Sequence, residues 1–440
     1  MFTKQQIRKL IIPLMIEQVL TSLMGAADTL MVSNAGSAAI SAVSLVDSIN
    51  VLMIYVFTAL ATGGAIVCAQ YLGRGDDYEA TENARQMLFT VLAISVLVSI
   101  VCIALNRPLL RLIFGTVERD VMDASITYFL ITAASYPFIA LYNAGAALFR
   151  VEGNSRLSLI VSTISNVVNI VGNAILIFGF QMGVAGAAIA TLFSRIVSAA
   201  VLVICLRHPG RRIVVDHYAR IRPDSARIRR ILKMGVPNGV EQGMFQFGKL
   251  AIQSSVSMMG TLAIAAQGMT SVMEALLSRA SEGVALGLMT IVGQCLGAGL
   301  KDEARKNVIR MSGWAEIAML VSCAIMAVSV RQITRIAGME PEAAQLCCQL
   351  VYIICIVKPI LWVLSFVPVY GMRAAGDVRY SMVVSSASMW IFRVAIVTIL
   401  VRAFHMGPLA VWIGMFSDWL VRGILFTIRF YSGKWMKKVI

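Results

Sequence analysis

The recurrence of long apolar stretches restricts this chain more than any other feature. Residues 7–31, 42–71, 86–106, 125–148, 157–180, 184–206, 230–258, 263–292, 308–330, 343–370, 380–404 and 408–431 each run on with few charges. A helix of about 20 such residues crosses a hydrocarbon core roughly 30 Å thick. With 58% hydrophobic and 14% charged residues and a mean hydropathy of +0.80, the chain falls outside the range of ordinary soluble domains. Ala, Gly and Ser recur inside the stretches, as in GAAIATLFS and GVALG. That suits close-packed helices better than the alternating strands of a barrel. The expected fold is an all-α polytopic membrane protein with twelve transmembrane helices.

Lys and Arg fall mainly on one side of these spans. Lys4, Arg8 and Lys9, Arg74 and Arg85, Arg150 and Arg156, the segment from Arg207 to Lys233, Lys301 to Arg310, and Arg429 to Lys438 all lie in alternate connections or at the ends. The opposite loops carry few. By the positive-inside rule both termini and the central basic segment are expected to be cytoplasmic, in a multi-pass membrane protein. The net charge of +15 then reports topology and a secondary attraction to anionic lipid. No nucleic-acid partner is expected, because the basic segment RHPGRRIVVDHYARIRPDSARIRR carries no recognisable binding motif.

The first span is too long for a cleavable leader. The eight cysteines lie almost entirely within spans and show no metal-like spacing, and the three histidines are scattered near loops. No nucleophile, base and orienting group assemble from the sequence, so an enzyme is not expected, and neither is a cofactor.

An internal repeat organises the chain. At an offset of 224, PLMIEQ (13–18) aligns with PNGVEQ (237–242), GSAAISA (36–42) with GTLAIAA (260–266), and QYLGRGDDYEA (70–80) with QCLGAGLKDEA (294–304). At 223, RVEGNSRLSLIVSTIS (150–165) aligns with RAAGDVRYSMVVSSAS (373–388). Each half holds six spans, an even number, so both enter the membrane in the same direction. Two six-helix bundles related by a pseudo-two-fold axis along the membrane normal are expected. The boundaries would be 1–206 for the N-terminal lobe, 207–229 for a basic cytoplasmic linker and 230–440 for the C-terminal lobe.

The ordered set ADTLMVSNAG, VCAQYLGRGD, NVVNIVGNAILIFGFQMGVAGAAIAT, GVPNGVEQGMFQFGK and IVGQCLGAG resembles the multidrug and toxic compound extrusion (MATE) family, bacterial branch, along essentially the whole chain. The resemblance implies export of organic, often cationic, compounds in exchange for H⁺ or Na⁺. A small organic substrate and membrane lipid would be the partners, and a monomer is expected. A lipid-linked sugar flippase of the same broad superfamily is the alternative. Such a protein would be expected to line its cavity with cations for a pyrophosphate, whereas the N-terminal spans show acids and amides. A receptor or scaffold would not account for an acid deep in a span.

Depth locates candidate residues independently of the family. Asp28 lies nine residues before the outer turn near 37, about 13 Å inward at 1.5 Å per residue. Asn173 and Thr191 stand nine residues on either side of the turn near 182, Asn169 lies one turn below Asn173, and Asp47 is ten residues past the first turn. These five form a candidate coupling group, with Asp28 as the Na⁺ ligand if sodium is the ion. An intramembrane acid is a functional hypothesis by default, and the competing reading is a helix-to-helix hydrogen bond. In the resemblance Asp28, Asn169 and Thr191 match polar positions of the first, fifth and sixth spans, while Asn173 stands where some members have Asp. Asp28 has Ile252 as its repeat mate, so the acid is not part of the duplicated scaffold.

Glu17 and Thr21 share a helix face with Asp28. Glu241, the repeat mate of Glu17, heads a stripe with Phe245 and Lys249, and Gln242 and Gln246 lie alongside. These residues could line a central cavity or tie helices together. Equal depth also suggests Lys249 with Glu274 and Arg393 with Asp418 as structural ion pairs. Arg279 and Glu282 can pair along one helix. Glu274 has a second reading, as an acidic anchor for a cationic substrate.

Overall fold

The structure is a computed structural model describing residues 2–33, 37–115, 118–216, 218 and 221–438, with the side chains of residues 26–30, 33 and 37 outside the described set. Among the described residues its regular structure is entirely helical, with no strand. The first half of the chain forms α1 (Lys4–Ser33), α2 (Ser37–Arg74), α3 (Asp77–Ala104), the short α4 (Asn106–Phe114), α5 (Arg119–Ala134), α6 (Tyr136–Val151), α7 (Ser155–Asn173) continued by a π turn over Ala174–Gly179, and α8 (Gly183–Cys205). The second half forms α9 (Ser225–Val256), α10 (Thr261–Gly297), α11 (Lys301–Ile336), α12 (Pro341–Ala374), α13 (Val378–Ser388), a π turn over Met389–Val394, α14 (Ala395–Arg402) and α15 (Leu409–Tyr431).

Nine of these helices, counting each one continued through a π turn as one, are long and apolar enough to cross a membrane, and α5 with α6, bent by 44°, make a tenth. The remaining two spans are α1 and α9, the latter made less apolar along its length by Asn238, Glu241, Gln242, Gln246, Lys249 and Gln253. The count is twelve, six in each half. The repeat is also visible in the backbone. Gly75 and Gly299, 224 residues apart, both take positive φ, at 80° and 77°. There a side chain would be strained, so the glycines let a long helix reverse into the next. Gln181 and His405, also 224 apart, are the two positive-φ residues other than glycine among those described.

Contacts divide the chain into two compact units, Leu20–Gly239 and Met1–Val19 with Val240–Ile440. The boundaries fall inside α1 and α9 rather than at 207–229. The cause is close helix approach at small residues. A methyl group on Gly63 of α2 would lie 2.5 Å from the backbone N of Gly235, in the first half of α9. One on Gly283 of α10 would lie 2.6 Å from the backbone of Met15, in the first half of α1. Packing of this kind, rather than escape from water, drives helix association in lipid.

The basic segment after α8 is not a free tether. Ile213 and Val215 are fully buried in the core of the Leu20–Gly239 unit. Its charges, with Arg227 at the start of α9, meet opposite charges on α3 and after α6. Arg212 pairs with Asp77 at 2.6 Å, Asp216 with Arg85 at 2.5 Å and Arg227 with Glu79 at 2.6 Å, while Arg211 pairs with Glu152 and lies over the Phe149 ring at 4.0 Å. Glu152 also accepts from the Ile213 N–H at 2.8 Å. Asp224 caps α9 by accepting from the N–H groups of Ala226 (2.9 Å) and Arg227 (3.2 Å). The Arg227 N–H first, with the Ala226 N–H and the Arg227 charge adding to it, holds the Asp224 carboxyl below the usual carboxylate range.

Candidate coupling and substrate sites

In the Leu20–Gly239 unit, α7 and α8 meet closely enough for short polar side chains to touch. A methyl group on Gly172 would lie 3.0 Å from the Ala190 side chain, next to Thr191. Across this contact the Asn169 amide donates to Thr191 Oγ1 at 3.2 Å, and the Asn173 amide donates to Asn169 Oδ1 at 3.3 Å. Asn169 and Asn173 are buried. The π turn begins at the residue after Asn173. Such turns widen the helix and leave carbonyls less regularly paired, and they occur often at functional sites. The three residues singled out by depth are thus one hydrogen-bonded ladder. Asp28 lies in α1, but its side chain falls outside the described residues.

Asp47 belongs elsewhere. Its Oδ1 accepts from Asn50 Nδ2 at 3.2 Å and from the Tyr128 hydroxyl at 3.3 Å, and the Tyr136 hydroxyl donates to Asn50 Oδ1 at 2.9 Å. Arg195 acts electrostatically on Asp47 and donates to Ser135 Oγ at 2.6 Å. This second network ties α2 to α5, α6 and α8, and among the described residues Asp47 makes no hydrogen bond to Asn169, Asn173 or Thr191. Equal depth did not imply adjacency, because depth fixes a level and not a direction around the helix. Tyr128, Tyr136 and Arg195 were absent from the sequence-derived set, although an Arg inside an apolar span was a signal for one of them.

In the other unit the expected ion pairs are replaced by different ones. Glu274 is bound by Lys358 of α12 rather than Lys249: Nζ donates to Glu274 Oε1 at 2.5 Å, to the Glu274 carbonyl at 2.7 Å and to Ser278 Oγ at 3.3 Å. Helix α10 packs extensively on α12, which puts Glu274 against Lys358. Asp418 accepts from Ser388 Oγ at 2.6 Å and lies 3.8 Å from Arg422 on its own helix, so Arg393 is not its partner either. The Arg279–Glu282 pair forms at 3.0 Å.

Glu241 is buried and engaged by Arg373 at 2.7 Å and by the Ser381 hydroxyl at 3.0 Å, joining α9 to α12 and α13. That arrangement is a helix tie. Glu17 is also buried, Thr21 is exposed, and Gln242, Phe245 and Gln246 are half-buried. The carbon framework of Phe245 carries two cations, Lys249 at 5.2 Å and Arg393 at 5.4 Å from the ring centre. Lys358, fully buried in the middle of α12, was missed by sequence reasoning, although a lysine within IICIVKPILWVL stands out once every charge in a span is questioned.

Twelve helices in two halves of six, with amide and hydroxyl ladders and charges held inside the spans, define a polytopic transport protein. The MatE family model matches residues 13–175 and 237–399, once in each half, and the chain belongs to that family of transporters. It is 26% identical over 444 residues to "Probable multidrug resistance protein NorM" of Thermotoga maritima, covering 99% of this chain and 94% of that one. It is 25% identical over 433 residues to "Uncharacterized transporter YisQ" of Bacillus subtilis, covering 97% and 94%. Among solved structures, an outward-facing multidrug resistance MATE transporter of the MOP superfamily superposes with a TM-score of 0.90 at 21% identity, over 98% of this chain and 96% of the other.

Proposed function

We propose that the chain is a secondary antiporter that exports amphipathic organic compounds by alternating access, in exchange for H⁺ or Na⁺. The observation that carries the coupling part is the Asn173–Asn169–Thr191 ladder, a run of hydrogen-bonding groups inside otherwise apolar spans. Such groups are retained in lipid where ions or protons pass. Asp28, at the same depth by residue count, is the group that would change charge. In apolar surroundings the protonated acid is favoured; facing the ladder, water or Na⁺, the anion is favoured. A switch between the two as access alternates couples ion entry to substrate exit.

In this reading both termini and the packed segment 207–224 face the cytoplasm of a bacterium, the chain lies in the inner membrane, and it works as a monomer without a nucleic-acid partner. The expectation of a cationic substrate has weaker support, since the described spans of the second half carry more basic than acidic side chains. The test is reconstitution into proteoliposomes with proton and sodium gradients imposed separately. Transport of organic dyes driven by one of them supports the proposal, and equal flux with and without either gradient refutes antiport.

A further inference from the structure

Most charges inside the spans of the Met1–Val19 and Val240–Ile440 unit have a partner. Arg373 is matched by Glu241, Lys358 by Glu274, Arg279 by Glu282 and Arg422 by Asp418. Lys249 and Arg393 are two cations within the spans without one: neither has a carboxylate within 4 Å among the described residues. The acids that act on Lys249 are Glu274 and Glu282, each already engaged. Those acting on Arg393 are Asp418, held at Oδ1 by Ser388 and 3.8 Å from Arg422, and Glu274, held by Lys358.

The two cations stand together. Both approach the Phe245 ring, and Arg393 exerts the largest effect of any single charge on Lys249. Arg393 is buried, and its Nε has no hydrogen-bond partner among the described residues. Lys249 is exposed at the surface of the unit although it lies in mid-span. An unfilled guanidinium donor, an ammonium and an aromatic face are held at one place, at a cost in mutual repulsion and desolvation. A negative group placed there would accept from Arg393, neutralise Lys249 and leave an apolar body to rest on Phe245.

We infer that Lys249, Arg393 and Phe245 form a binding subsite for the carboxylate, sulfonate or phosphate of a small amphipathic organic anion. The inference rests on the transporter reading above and narrows its substrate class away from the cations that the sequence suggested. The neutral partners Gln242 and Gln246, on the same helix, add no negative charge that would oppose an anion.

The test separates binding from coupled transport. Full-length protein in nanodiscs of neutral lipid is titrated with carboxyfluorescein and, separately, with the cation rhodamine 6G, and binding is followed by fluorescence anisotropy. Wild type is expected to bind carboxyfluorescein. Lys249→Gln and Arg393→Gln each weaken that binding by about tenfold or more, the scale of one lost charge-assisted contact. Lys249→Arg and Arg393→Lys retain most of the binding, which excludes a folding defect. Rhodamine binding stays unchanged or tightens in Lys249→Gln. Equal carboxyfluorescein affinity in wild type and both Gln variants, or no binding by wild type, overturns the inference. Displacement of the dye by added phosphatidylglycerol overturns the assignment to a soluble anion. The antiporter reading fails separately, through gradient-independent flux in proteoliposomes.

Discussion

Replacing Lys358 with Met removes an ammonium that is fully buried and satisfied by three oxygens, at 2.5, 2.7 and 3.3 Å. The Glu274 carboxylate is left without its cation inside a span, and breaking one side of a buried pair typically costs about 3–5 kcal/mol. Glu274→Gln leaves the ammonium with a carbonyl and a hydroxyl still in place, so its loss falls at the low end of the same range, about 3 kcal/mol. Removing both charges eliminates the orphan. The double variant Lys358→Met, Glu274→Gln is expected within about 1–2 kcal/mol of wild type, a coupling of at least about 3 kcal/mol between the sites. Unfolding titrations in mixed micelles with increasing dodecyl sulfate, followed by tryptophan fluorescence, give the three differences. Trp362 and Trp419 flank Lys358 and report the site. Additive losses in the double variant, or a stable Lys358→Met, would refute the claim that this pair is matched charge rather than incidental contact.

Thr191→Val keeps the shape of its side chain and removes the acceptor of the Asn169 amide; gradient-driven dye flux should fall about tenfold, the scale of one lost buried hydrogen bond, while the unfolding midpoint moves little. Glu152→Ala releases both Arg211 and the Ile213 N–H, so trypsin should cleave the segment after Cys205 faster than in wild type, and an unchanged cleavage rate would show that this segment is held by other contacts. Asp224 has a folded pKa depressed below its ordinary value, so its contribution at the start of α9 is present above about pH 4 and lost as pH falls through the lower folded value. Hydrogen exchange at Ala226 and Arg227, corrected for intrinsic rates, should therefore lose protection below about pH 4 in wild type but not in Asp224→Asn, which caps without titrating.

Hydropathy and the 224-residue repeat made the twelve helices legible, because span length and residue type determine them directly. Residue counting also brought Asn169, Asn173 and Thr191 together correctly, since the three stand around one short turn between α7 and α8. The same counting failed for the partners of Lys249 and Arg393, where the answer depends on which way each helix is rotated and which neighbour it faces. Glu274 turns toward α12 and not α9, and no hydropathy window records that. The sharing of α1 and α9 between units was equally hidden, because it rests on backbone approach at Gly63 and Gly283, two residues among many small ones. The segment 207–224 read as a basic run, yet its acids Asp216 and Asp224 and the apolar Ile213 and Val215 fasten it together with Arg211 and Arg212.

The central claim is that a carboxylate in the first span couples ion entry to export. The most direct measurement compares wild type with Asp28→Asn in proteoliposomes, recording dye flux under an imposed proton gradient and then under a sodium gradient. The account predicts flux driven by one gradient in wild type and no gradient dependence in Asp28→Asn, with both proteins unfolding at the same dodecyl sulfate concentration. Full gradient-driven flux in Asp28→Asn would contradict it.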